Sequence, residues 1–210
     1  SISNRPDYNG IEILTNQNYT LNKNSSIIEI DKNTFYDDLL MNISYKSDTL
    51  SLGKEKDPFR SSIRIKLPHT ISDTLELRQS FVGKLINGKI SYISSKKNNS
   101  YIYASTSSLG EYIVSKDSLK PDIKPINFKN NSNIELKKTL KLRLKDDLSG
   151  IKSYSSYFNG NWALFEYEPK SNMIFHNLSD GIVKNGENEL IIKYEDGVGN
   201  KGVYETKVYY

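Results

Sequence analysis

Short runs of alternating apolar and polar residues, parted by turn residues, recur along this chain and limit its fold more than any other feature. Period-two alternation marks a half-buried strand. The i, i+3, i+4, i+7 apolar spacing of an amphipathic helix appears in no window of useful length, and one helical turn is expected at most, around residues 34–40. Strands are expected at 26–30, 40–45, 63–67, 75–78, 81–86, 90–94 and 101–104. The charged segment 46–60, which contains Pro58, reads as a loop. Asn87-Gly88 lies between LI and KISYI as a two-residue hairpin turn, because both positions tolerate positive φ. The runs 90–94 and 101–104 flank a polar tip and are expected to pair as the next hairpin. Residues 10–118 thus supply roughly eight short strands, which suits a sandwich.

Near residue 118 one β unit ends and another begins. Glu111-Tyr112-Ile113-Val114 reads as a closing strand, and Ser115 to Lys120 is polar. Pro121 then forbids a helix and holds Lys120 extended. Strands are expected at 123–128, 140–144, 151–158, 162–167, 173–176, 190–194 and 203–209, with 173–176 at an edge. Asn159-Gly160 gives a second two-residue hairpin. These strands, spread over about 90 residues without cysteine, match an immunoglobulin-like or fibronectin-III-like sandwich. The fold expected is all-β, with two tandem β-sandwich domains, 1–118 and 119–210.

Composition narrows the function. Up to residue 118 there are 15 basic and 13 acidic side chains, and 14 and 12 beyond it. Interspersed charge of that kind is a solvated surface and lacks the one-sided basic stripe of a nucleic-acid binder. No run approaches the ~20 apolar residues of a membrane span. The absence of cysteine excludes a disulfide framework, a thiolate metal site and a cysteine nucleophile. The opening SISNRPDYNG has no initiator Met or signal-peptide pattern, as expected of a mature product or an excised fragment.

Five segments in order, FYDDLLMNISY, LGEYIVSKDSLKPDIKPINF, LKDDLSGIKSY, NGNWALFEYEPKSNMIFH and IKYEDGVGNKGVYE, span roughly residues 25–210. As a series this resembles the region C-terminal to the catalytic domain in Bacteroidetes M23-family (LytM-like) metallopeptidases. Leu109 stands where an aromatic is usual, and Ser118-Leu119-Lys120 replaces a Thr/Pro-rich linker. The resemblance implies a cell-envelope protein, periplasmic or outer-membrane-associated, with Tyr210 as a natural C-terminus. It also implies an absent zinc domain that cuts peptidoglycan cross-bridges, and a partner that is that domain or another envelope protein.

The catalytic chemistry itself is missing from these residues. The family's zinc is held by an H-x-x-x-D pair and a His of a later H-x-H. His69 and Asp73 match the first spacing, but neither His69 nor His176 has a His two residues away. His69 beside Pro68 reads as a surface turn, and His176 as a half-buried strand residue. No G-x-S-x-G elbow, phosphate-cradling Gly loop or dinucleotide fingerprint occurs. Glu166 and Glu168 share one strand face, which suggests a glycosidase couple or, more often, a wet sheet face. The chain is expected to be no enzyme.

Two sites are expected. In an immunoglobulin-like sandwich the loops at Asp146-Asp147 and Asp196 share a pole with the start of the first strand, beside Asp117 and Asp122. Five carboxylates there would suit Ca²⁺ at the interdomain junction, or else the Asp side chains satisfy turn backbone groups. The second site is aromatic: Tyr154, Tyr157, Trp162, Phe165 and Tyr167 lie on two hairpin strands. Alternation sets Trp162 and Leu164 on one face and Phe165 and Tyr167 on the other. One set is core, and the other is free to stack on sugar rings. The function expected is a non-catalytic accessory region that docks or positions a peptidoglycan endopeptidase. The alternatives are an envelope assembly module and a glycan-binding surface.

Overall fold

The computed structural model describes residues 10–53 and 56–210. Lys54 and Glu55, within the segment read as a loop, and residues 1–9 lie outside the described residues. The chain divides into two units, Ser1–Asp117 and Ser118–Tyr210. Each is a β-sandwich, so the all-β architecture read from the alternation is what the chain adopts. No helix among the described residues is long and apolar enough to cross a membrane.

The first unit runs β1 (Gly10–Ile13), β2 (Tyr19–Lys23), β3 (Ser26–Ile30), β4 (Leu39–Lys46), β5 (Thr49–Leu52), β6 (Ile63–Pro68), α1 (Thr74–Gln79), β7 (Ser80–Ile86), β8 (Lys89–Ile93), β9 (Ser95–Lys97), β10 (Tyr101–Thr106) and β11 (Gly110–Lys116). One sheet has the order β1-β4-β5-β11-β7-β8 and the other β2-β3-β6-β10-β9. Ile28, Ile63, Ile65 and Ile102 from the second sheet pack with Met41, Leu50, Leu52 and Tyr112 from the first. Burial of that size is the main favourable term in the fold. Tyr112 has its hydroxyl tied to Ser108 O, so this large ring enters the core without an orphaned polar atom.

Four sequence expectations change here. The segment 46–60 is not all loop: Ser47 and Asp48, at φ 48° and 58°, turn the chain into β5, whose Leu50 and Leu52 are fully buried. Residues 75–78 are helical rather than extended. Asp73 Oδ1 accepts the Glu76 amide at 2.6 Å, and that side-chain cap stabilises the first turn of α1. Around 34–40 there is no helix, because Thr34 O accepts the Arg60 amide and Phe35 bridges Phe59. Finally, β8 and β10 do not pair. The chain passes between sheets after Ile93, and β10 takes β9 and β6 as neighbours.

The second unit runs β12 (Asp122–Pro125), β13 (Ser132–Asn133), β14 (Thr139–Lys145), β15 (Ile151–Phe158), β16 (Asn161–Ala163), β17 (Glu166–Glu168), β18 (Met173–Asn177), β19 (Glu187–Asp196) and β20 (Lys201–Tyr209). Its sheets are β12-β14-β18-β17 and β13-β20-β19-β15-β16. This is the immunoglobulin arrangement, a four-stranded sheet facing one built on β20, β19 and β15. Two expectations are corrected. The run 162–167 is two strands in different sheets, and β18 is no edge strand, since it lies between β14 and β17.

Candidate functional site

The hairpin β15–β16 and the crossing that follows it border a groove on the second unit. Asn159 and Gly160, at φ 50° and 79°, close the two-residue turn. The register then sets Tyr157 opposite Trp162 and Ser156 opposite Ala163. Residues opposite one another share a sheet face. Ser156 and Ala163 are buried, so Tyr157 and Trp162 face outward.

After Ala163 the chain leaves one sheet for the other, and side chains hold three successive carbonyls there. Ser156 Oγ donates to Ala163 O at 3.2 Å, and His176 Nδ1 lies 2.8 Å from Leu164 O. Tyr154 Oη donates to Phe165 O. A carbonyl only accepts, so His176 carries its proton on Nδ1. The imidazole stacks on Phe165, with ring centres 5.0 Å apart, and is tilted against Phe158 at 5.2 Å. Its buried Nε2 lies 3.4 Å from Asp180 Oδ1. Burial raises the pKa of the Tyr154 hydroxyl, which keeps it a donor at neutral pH.

This pinning decides which aromatic set is core. Phe165 is 2 % exposed, whereas Trp162 is 61 % and Leu164 51 % exposed. The five-aromatic platform is therefore corrected: Phe165 is core and reaches no ligand. Tyr167 is half-buried and meets Tyr154 edge-on at 6.2 Å, both packed against the core. Tyr157 stays on the outer face, with Lys193 Nζ 5.8 Å from its ring centre. Ser153, Tyr154, Trp162, Leu164 and Tyr167 border an open groove of about 370 Å³. An exposed indole beside serine hydroxyls offers a flat apolar surface with hydrogen-bonding groups at its edge. A sugar ring needs both.

The carboxylates behave differently from one another. Asp196 is fully buried. Its Oδ1 accepts the amides of Val198, Gly199 and Asn200 at 2.8–3.0 Å, and its Oδ2 accepts Asn200 Nδ2 at 2.7 Å. Asp146 Oδ2 accepts the amides of Leu148 and Gly150. An oxygen of Asp146 lies within 4.8 Å of one of Asp196. Asp122 instead turns to Lys124 at 2.9 Å and Arg143 at 3.8 Å, and Asp147 to Lys145. The Lys145 partner holds the Asp147 carboxyl below the usual carboxylate range. Asp117 is buried, and its amide donates to Gln79 O. Asp146 and Asp196 thus serve turn amides. Adding millimolar Ca²⁺ after EDTA treatment is expected to leave the melting temperature unchanged in calorimetry; a rise of more than about 4 °C would assign these loops to the cation.

His69 and Asp73 are likewise engaged. His69 Nδ1 accepts the Ile71 amide at 3.1 Å and Nε2 donates to Asn98 O at 2.8 Å, while Asp73 caps α1. With both ring nitrogens used, His69 has no lone pair for a metal. Glu166 and Glu168 are exposed on β17.

Residues 13–117 match the family described as Zu5-like domain. No curated protein matches the chain. Among solved structures, an endo-beta-1,4-mannanase from Thermotoga petrophila is 13 % identical with a TM-score of 0.35. The match covers 44 % of this chain and 20 % of that one, so the chain spans about a fifth of the enzyme's length. The fibronectin(III)-like modules of Clostridium thermocellum CbhA are 15 % identical with a TM-score of 0.33, over 71 % of this chain and 85 % of that one.

Proposed function

The chain therefore belongs to the Zu5-like domain family, through residues 13–117, and from that footing we propose that it is a non-catalytic binding region whose second sandwich holds a glycan polymer. The observation that carries this reading is Trp162, 61 % exposed on a hairpin whose continuation is pinned at three successive carbonyls. A large aromatic held rigid and in water loses little entropy on binding. The indole offers its face to the apolar face of a sugar, with Leu164 extending the surface and Ser153 at the groove wall. The resemblance to the region after the catalytic domain of M23-family peptidases supports peptidoglycan as the polymer and the cell envelope as the place. In that setting the chain positions a zinc endopeptidase carried elsewhere.

Sedimentation with purified peptidoglycan sacculi tests the reading. A chain with net charge +4 can adhere electrostatically, so the assay is run at low and at physiological salt. The expected result is co-sedimentation that survives physiological salt and falls about tenfold in Trp162→Ala. Binding that vanishes with salt, or that the variant retains, overturns the groove and moves the function to docking a protein.

A further inference from the structure

The first sandwich carries a slot of a different kind, in which one strand is paired on both sides for only part of its length. β11 pairs β5 through Gly110↔Leu52, Glu111↔Ser51 and Tyr112↔Leu50, where that ladder stops. Its ladder with β7 runs on to Lys116↔Ser80. The cause is local. Ser47 and Asp48 reverse the chain between β4 and β5 just before Thr49, which the register carries opposite Ile113, so no described strand lies beside residues 114–116 on that side. This open edge is three residues long, about 10 Å of strand.

The open edge borders a cavity of about 620 Å³. Tyr45, Leu67, Leu85, Ile113 and Val114 from the two sheets and Ile71 from the segment before α1 form its apolar walls, and Ser47, Thr49, His69 and Thr70 add polar groups. No lysine or arginine is among the residues that line it. Asp48 stands at the rim, exposed, with the Tyr45 hydroxyl 3.4 Å away and no ion pair among the described residues. The neighbouring carboxylate and burial both raise the Tyr45 pKa, burial contributing more.

We propose that this slot takes an extended peptide segment of another protein, added beside β11 as a further strand. The occupant carries apolar side chains at alternate positions and a lysine or arginine at the end that meets Asp48. Each requirement has its own source. An open strand edge offers main-chain donors and acceptors at strand spacing, which a second strand satisfies and a helix or a sugar does not. Alternation follows because every second side chain of an added strand points between the sheets, towards Val114 and Leu67. The cation follows from a rim carboxylate that makes no ion pair among the described residues. This site is separate from the Trp162 groove and does not depend on it.

The test uses the whole 210-residue chain and fluorescein-labelled heptapeptides alternating valine and threonine, with lysine at one end or the other. One of the two is expected to bind in fluorescence anisotropy with a Kd below about 1 mM. Bound peptide should slow hydrogen exchange about tenfold at those amides of residues 114–116 that point away from β7. Asp48→Asn, which keeps the turn and removes the charge, should weaken binding about fivefold. The same peptide N-methylated at alternate amides along one edge keeps its side chains but cannot form the ladder, and should not bind. Equal binding by the N-methylated peptide overturns strand addition. So does the failure of both parent peptides to bind at about 1 mM. Trp162→Ala should change none of these readings.

Discussion

Replacing Asp196 by alanine should cost the second unit about 3 kcal/mol or more, because one side chain holds together the turn between β19 and β20. The carboxylate is fully buried and accepts three consecutive main-chain amides and the Asn200 side chain. Val198 and Asn200 are themselves buried, so water cannot substitute for the lost acceptor. Each buried donor left without a partner costs about 1–3 kcal/mol, more where the lost acceptor was charged. A unit of this size gains or loses roughly 4–8 °C of melting temperature per kcal/mol, so a drop of about 15 °C is expected in calorimetry. Asp196→Asn keeps one carbonyl oxygen for the amides but turns a second donor towards Asn200 Nδ2, and should fall between the two. A loss under about 1 kcal/mol in the alanine variant would show that the turn holds its shape without the carboxylate.

Phe165→Ala and Trp162→Ala, three positions apart, should behave as opposites. Phe165 is buried against Phe158 and the His176 ring, and deleting it leaves a cavity the tied carbonyls keep from collapsing. Its loss should cost about 3–5 kcal/mol. Trp162 is mostly in water, and its replacement should change stability by no more than about 0.5 kcal/mol. Denaturant titrations followed by circular dichroism give both numbers. If the tryptophan variant proves the less stable of the two, the faces have been assigned the wrong way round and the glycan groove disappears with them.

The opposite fates of these two residues show how far alternation carries. Period two placed Trp162 and Phe165 on opposite faces from the letters alone. It did not say which face is core, because a strand read in isolation has no inside. The answer lay in the crossing after Ala163, where the chain changes sheets and Ser156, His176 and Tyr154 hold three carbonyls. Two of those three side chains lie several residues upstream and one lies a strand downstream. The signal for α1 was present and outweighed: Asp73 and Glu76 have capping spacing, but Leu75–Arg78 is too short for a period to show. β5 was hidden by the charges around it.

The aspartates make the same point for a site. In sequence Asp122, Asp146, Asp147 and Asp196 are equivalent acidic turn residues. Folded, Asp122 sits opposite Lys145 across β12 and β14 and meets Lys124 and Arg143, while Asp147 meets Lys145. Asp146 and Asp196 are left to serve the amides of their own loops.

The sequence by itself determined that the chain is all-β, that it divides near residue 118, and where the two Asn-Gly hairpins turn. Those properties are local: they rest on side-chain period, on the φ a residue tolerates, and on where proline breaks a run. Which strands share a sheet, which aromatic face is core and which carboxylates are neutralised were decided only by the tertiary structure. Each depends on groups distant in sequence, and only the closed sandwich brings them within hydrogen-bonding or packing distance.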